Sequence, residues 1–86
     1  MITGPQMRAA RALLAIDQRE LARISSLSLP TIRRMEACDG TVRGNVESLM
    51  KVVDALQIAG IELIGEGAES LARGRGVRLQ RLPLND

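Results

Sequence analysis

Residues 18–36 read QRELARISSLSLPTIRRME, and this stretch decides how the rest of the chain is arranged. Asp17 offers an N-cap side chain just before it, and Glu20 stands at the third helical position, which predicts a short helix ending near Ser25. Ser28 is a second N-cap, and Pro30 falls in a first turn whose N–H groups have no intrahelical partner. The pattern predicts helices over 18–25 and 29–37, separated by a three-residue break. Their inward residues are predicted to be Leu21, Ala22, Ile24, Leu27, Ile32 and Met35.

Two further helices flank this pair. The first begins at Thr3, whose spacing to Gln6 is that of a capping box, and runs to about Ala15. Its apolar face is predicted to be Met7, Ala10, Leu13 and Leu14. The last helix begins after the N-cap residue Asn45 and is ended by Gly60. Its apolar stripe is predicted to be Val46, Leu49, Val52, Val53 and Leu56.

Beyond Gly60 the apolar residues alternate, which is typical of strands. Residues 61–64 and 77–81 are predicted to form a hairpin with a long, glycine-containing loop, in which 68–73 is a candidate helical turn. The sequence therefore predicts a mainly α fold of four helices with a C-terminal β-strand pair. We expect residues 1–59 to form the helical domain and 60–86 to form an extension that packs on it or joins two copies.

The composition excludes several classes of protein. The chain has 86 residues, of which 45% are apolar and 26% charged, and this allows one small globular core. It contains no histidine, no aromatic residue and one cysteine. These absences argue against a disulfide, a zinc site, base stacking on aromatic platforms and histidine-dependent catalysis. We expect a protein that is not an enzyme, with no catalytic residue, metal or cofactor.

Neither a membrane span nor a secretory signal is evident in the sequence. The longest apolar stretches, such as 12–16, are far shorter than the roughly 20 residues that cross a bilayer. The N-terminus lacks the pattern of a signal peptide. We therefore expect a soluble, cytoplasmic protein.

The formal net charge is only +2, but it is unevenly distributed. Residues 1–43 carry seven arginines against four acidic residues, 44–69 carry one lysine against five acidic residues, and 70–86 carry four arginines against one aspartate. A basic half followed by an acidic segment favours one face for a polyanion and another turned away from it. An ordinary solvated surface is the alternative explanation.

The layout of residues 18–36 is that of a helix-turn-helix, and its residues closely resemble the phage repressor and Cro-like family, also called the XRE family. The resemblance extends over residues 4 to about 58 and implies a lambda-repressor-like fold. Two positions depart from the family pattern, since Ser26 stands where glycine is usual and Ser25 where alanine is favoured. If Ser26 is left-handed, we expect a strain of about 1 kcal/mol.

The resemblance also implies which residues contact DNA. In the family the second helix of the pair enters the major groove, and its early outward positions meet base edges. The positions carried over are Gln18, Ser28, Leu29, Pro30, Thr31, Arg33, Arg34 and Arg43.

These positions differ in their expected roles. Arg34 is the leading base reader because its guanidinium can contact O6 and N7 of guanine together. Thr31 is expected to contact a thymine methyl group or a phosphate. Gln18, Ser28 and Arg43 are expected to contact phosphates. For Arg33 and Arg34 the alternative is a merely solvated helix surface.

Glu36 and Cys38 are of residue types that often have functional roles, but both are expected to be structural here. Glu36 resembles an acidic residue that pairs in the family with a first-helix arginine, here Arg11. Cys38 is expected to be a small residue at a helix end rather than a redox switch.

The sequence thus predicts a transcriptional regulator, such as a repressor, that binds a palindromic operator in double-stranded DNA as a homodimer. The alternative is a protein-interaction module, such as an antitoxin or a regulatory subunit, that holds a protein partner through its C-terminal strands. The operator, activation as against repression, and any effector are left open.

Overall fold

The structure, a computed structural model, describes residues 2–67 and 74–79. Its elements are α1 (Gly4–Leu14), α2 (Gln18–Ser25), α3 (Leu29–Glu36), α4 (Val46–Ile58), β1 (Ile61–Ile64) and β2 (Gly76–Leu79). The two strands pair antiparallel, with Ile61 opposite Leu79 and Ile64 opposite Gly76. The prediction of four helices and a C-terminal strand pair is confirmed for this part of the chain. The predicted helical turn at 68–73 and strand residues 80 and 81 lie outside the described residues.

Each helix begins at the side chain that the sequence predicted as its cap. The N-cap residues are Thr3, Asp17, Ser28 and Asn45. Each side chain accepts a hydrogen bond from the backbone N–H three residues later, at distances of 2.7–3.2 Å. Such caps satisfy N–H groups that have no partner within the helix, so the helix starts are set by local sequence.

The core lies where the four helices and β1 meet. Its largest fully buried side chains are Ile2, Met7, Leu21, Ile32, Met35, Val52, Leu56 and Ile61. The predicted inward residues of α2 and α3 are confirmed, with Ile24 and Leu27 packed at the edge of the core.

The prediction that Leu13 and Val46 belong to buried apolar stripes is wrong. Leu13 is 45% exposed and Val46 is 70% exposed. In α1, Met7, Ala10 and Leu14 are spaced three and four residues apart and form a narrow stripe, so Leu13 falls on its flank. Val46 lies on the flank of the α4 stripe in the same way.

The turns after α1 and α2 both use a left-handed residue. Ala15 has φ of 57° and Ser26 has φ of 59°. Ser26 is therefore left-handed, so the strain of about 1 kcal/mol expected for that case applies to it. Ser25 is buried, and its hydroxyl donates to the Leu21 carbonyl at 2.7 Å, so the polar group that replaces the expected alanine is satisfied inside α2.

The hairpin is joined to the helices by apolar packing and by the side chain of one glutamine. The side-chain nitrogen of Gln6 donates to the carbonyl of Ile64 at 3.2 Å and to the carbonyl of Gly76 at 2.9 Å. Its side-chain oxygen accepts from the Thr3 N–H at 2.9 Å, which completes the capping box. Ile61 is 2% exposed and belongs to the core. The hairpin is therefore tied to the start of α1, while the division of the chain at residue 59 stays a prediction.

No helix in residues 2–67 and 74–79 is long and apolar enough to cross a membrane.

Candidate nucleic-acid interface

Helix α3 has one buried face and one exposed face. Ile32, Met35 and Glu36 are at most 2% exposed and point into the molecule. Pro30, Arg33 and Arg34 are exposed on the opposite face. Leu29 and Thr31 are half-buried at its edges. The predicted contact positions on α3 are therefore accessible to a partner.

The start of α3 and the start of α2 line one shallow depression. It has a volume of about 200 Å³ and is lined by Asp17, Gln18, Arg19, Leu29 and Arg33. Three of the predicted contact residues are thus brought together. Arg19 joins them although the sequence analysis did not select it. Its position beside Gln18, in the first turn of α2, was the signal that could have found it.

The hydroxyl groups of Ser28 and Thr31 contact each other. The distance between Ser28 Oγ and Thr31 Oγ1 is 2.8 Å, and Ser28 Oγ also accepts from the Thr31 N–H at 3.2 Å. Ser28 is therefore the N-cap of α3. If its hydroxyl also contacts a ligand, the same oxygen must serve both the cap and the ligand.

A buried carboxylate joins three helices beneath this surface. Glu36 Oε2 accepts from Arg11 Nε at 2.7 Å, and Glu36 Oε1 accepts from Arg11 Nη2 at 2.9 Å. Gln18 Nε2 donates to the same Oε1 at 3.1 Å. The hydrogen bonds that Arg11 donates to Glu36 raise the pKa of the Arg11 guanidinium above its ordinary value, although partial burial opposes this. The predicted pair of Arg11 and Glu36 is confirmed.

The end of α3 is held against α1 by a close backbone approach. A Cβ added to Gly4 would overlap the carbonyl oxygen of Cys38 and lie 2.8 Å from that of Glu36. The side chain of Arg8 also donates to the Glu36 carbonyl. This position requires glycine for space, and no pattern in the neighbouring sequence indicates this requirement.

The chain after α3 returns to the N-terminal segment and carries Arg43. The N–H of Gly4 donates to the Gly40 carbonyl at 3.1 Å, and the N–H of Val42 donates to the Ile2 carbonyl at 2.9 Å. Arg43 is exposed and lines a second open depression of about 560 Å³ with Cys38, Asp39, Gly40 and Thr41. Arg43 is therefore separate from the depression that contains Gln18 and Arg33.

Basic side chains of the described residues divide into those that have a carboxylate partner and those that have none. Among residues 2–67 and 74–79, ion pairs join Arg11 to Glu36, Arg23 to Glu20, Lys51 to Glu47, Arg75 to Glu66 and Arg78 to Glu62. Within the same ranges no carboxylate lies in ion-pair distance of Arg19, Arg33, Arg34 or Arg43. As far as the described residues go, the N–H donors of these four guanidinium groups are available to an external anion.

Pairing also changes titration on the solvent side of α2. The hydrogen bond with Arg23 lowers the pKa of Glu20, and the same bond raises the pKa of Arg23. Both groups therefore stay charged around neutral pH and neutralise each other. Arg23 contributes less to the local positive potential than Arg19 does.

The described residues contain no group of three or more His, Cys, Asp or Glu side chains arranged to hold a metal ion. Comparison with known proteins gave no match, either among protein-family models or among curated proteins.

Proposed function

We propose that this protein is a helix-turn-helix regulator of transcription that binds double-stranded DNA, with α3 as the recognition helix. The observation that carries the proposal is the contrast across α3. One face is anchored by Ile32, Met35 and the buried Glu36, whereas the other presents Arg33 and Arg34 without carboxylate partners in the described part of the chain. A rigid helix with unpaired arginines on its outer face suits the major groove of B-DNA.

The exposed residues divide into two roles under this proposal. Arg34 reads a base, because a guanidinium donates two parallel hydrogen bonds to guanine O6 and N7. Gln18, Arg19 and Arg33 line one depression, which favours contact with the phosphate backbone at that end of α3. Leu29 and Pro30 bring no hydrogen-bonding side chain, so DNA shape contributes part of the specificity.

The remaining predicted contacts position the protein on the duplex. Ser28 and Thr31 present hydroxyl groups at the start of α3, and Arg43 reaches the backbone from the loop beyond its end. The eight residues of α3 span about 12 Å, so contacts at its two ends reach different phosphates.

The affinity that specific DNA binding generally requires favours a homodimer on a two-fold symmetric operator. One short recognition helix buries little DNA, whereas specific protein–DNA complexes reach affinities of about 10⁻⁸ M or tighter. Two copies with recognition helices about 34 Å apart would occupy successive major grooves on one side of the duplex.

A second candidate is a module that binds a protein partner through its C-terminal strands. Leu79 on β2 is 45% exposed and Ile58 at the end of α4 is 89% exposed. These exposed apolar side chains favour contact with a protein partner at this end of the molecule. Single exposed apolar residues are common on monomeric proteins, however, and the outer charges Glu62 and Arg78 already pair with each other. We therefore place DNA binding first.

Binding of the full chain to a duplex at increasing salt tests the proposal. The logarithm of the association constant should fall linearly with the logarithm of salt concentration, with a slope of about −0.9 for each phosphate neutralised. Replacing Arg19 and Arg33, the arginines assigned to the phosphate backbone, by alanine should make the slope less steep. The matched control replaces Arg75 and Arg78, which removes the same charge from paired positions. Absence of duplex binding at low salt would refute the proposal and favour the protein-interaction module.

A further inference from the structure

Glu36 is a buried carboxylate that accepts hydrogen bonds from two other helices. Its carboxylate is 3% exposed, and the guanidinium of Arg11 already donates to both of its oxygens. A bidentate pair of this kind neutralises the charge, and further hydrogen bonds satisfy the remaining lone pairs of a buried carboxylate. The donation from Gln18, at 3.1 Å, satisfies one of these lone pairs and at the same time fixes the Gln18 amide.

The contact fixes which end of the Gln18 amide faces inward. A carboxylate accepts hydrogen bonds and repels a carbonyl oxygen, so the amide nitrogen is held against Glu36 and the amide oxygen is turned away. The nitrogen carries two hydrogens, and one of them is directed to Glu36. Gln18 is half-buried and lines the depression shared by Arg19 and Arg33.

We propose that Glu36 is a positioning residue for DNA binding, which holds one N–H of the Gln18 amide inward so that the other meets a phosphate oxygen of the duplex. This inference rests on the proposed function and refines it. Preorganised donors lose less side-chain entropy on binding than donors that are free to rotate. The phosphate would also meet Arg19 and Arg33 at the same depression.

A double-mutant cycle separates this role from a purely structural one. In the wild-type background, Gln18→Ala should weaken binding to all duplexes by about tenfold. In a background with Arg11→Met and Glu36→Met, which removes the pair without leaving a buried charge, the same change should weaken binding by less than about twofold. Gln57→Ala, at an exposed glutamine of α4, is the control and should have no effect in either background.

The outcomes of this cycle are distinguishable. Equal losses from Gln18→Ala in both backgrounds would refute the positioning role and leave the proposed function intact, as would no loss in wild type. Failure of wild type to bind any duplex would refute the proposed function itself.

If the variant with Arg11→Met and Glu36→Met does not fold, a measurement on the wild-type protein tests the contact between Gln18 and Glu36 on which the proposal depends. Side-chain amide protons of Gln18 should exchange with solvent more slowly than those of Gln57 in NMR spectra, because one of them is hydrogen-bonded to Glu36. Equal exchange rates at the two glutamines would overturn the proposal.

Discussion

The two faces of α3 differ in almost every physical respect. The inner face packs Ile32 and Met35 into the core, and the helix end is held by Gly4 and Arg11 of α1. The outer face makes no ion pair in the described residues and presents Arg33 and Arg34 to solvent. The comparison teaches that anchoring and base recognition use separate residues of one short helix. Changes on the inner face should therefore alter folding and reach DNA binding only through Gln18, whereas changes on the outer face should alter binding directly.

The largest effect is expected at the buried ion pair. Arg11→Ala leaves Glu36 charged and 3% exposed without its partner, which should lower the free energy of unfolding by about 3–5 kcal/mol. Urea denaturation followed by circular dichroism measures this. Arg23→Ala, which breaks the exposed pair with Glu20, is the control and should leave the unfolding midpoint unchanged. A similar effect from both changes would contradict the claim that the buried pair with Glu36 anchors the inner face of α3.

A slightly smaller effect is expected where α1 approaches the end of α3. Gly4→Ala adds a Cβ that overlaps the Cys38 carbonyl, so the backbones have to move apart, at a cost of about 3 kcal/mol. Gly40→Ala is the control, because a Cβ there meets no atom within 4 Å. Thermal unfolding of both variants checks the prediction, which fails if Gly4→Ala is as stable as the control.

On the outer face, Arg34→Ala should change binding without changing stability. Loss of a bidentate contact should relax the preference at one base per half-site by about 1–3 kcal/mol, while the melting temperature stays the same. Arg78→Ala removes an equal charge from the pair with Glu62 and should leave base preference unaltered. Competition binding with single-base variants of a bound duplex measures the effect. Equal losses on every sequence would make Arg34 a phosphate contact instead.

The smallest effect is expected in the turn that joins α2 to α3. Ser26 is left-handed, with φ of 59°, so Ser26→Gly should raise the free energy of unfolding by about 0.5–1 kcal/mol. Ala37, which ends α3 with φ of −76°, provides the control. Ala37→Gly should lower the free energy of unfolding by a similar amount. In urea denaturation the two variants should therefore shift the free energy of unfolding in opposite directions, and a shift in the same direction would contradict the prediction.

Features set by neighbouring residues could be predicted from the sequence. Asp17, Ser28 and Asn45 start their helices as expected because each cap bonds to an N–H only three residues away. The left-handed conformation of Ser26 was only a condition, drawn from the glycine usual there in the resembled family, and the structure supplies it. The pair of Arg11 and Glu36, in contrast, was expected only from the family resemblance.

Features that depend on distant segments were missed. The bonds from Gln6 to Ile64 and Gly76 join residues 58 and 70 positions apart, and no local pattern reveals them. The space requirement at Gly4 depends on where the chain returns after α3. Leu13 was assigned to the core because periodicity gives the width of an apolar stripe only roughly, and its exposure depends on which neighbours cover α1.

Selection of bound sites from a pool of random duplexes tests the central claim most directly, using the full chain at moderate salt. If the outer face of α3 reads DNA, the bound pool should become enriched in a common sequence, arranged as two half-sites related by two-fold symmetry with centres about 10 base pairs apart. The enrichment should be lost with Arg33→Ala and Arg34→Ala together and kept with Arg75→Ala and Arg78→Ala. A pool that stays random after repeated rounds with wild-type protein would contradict the account.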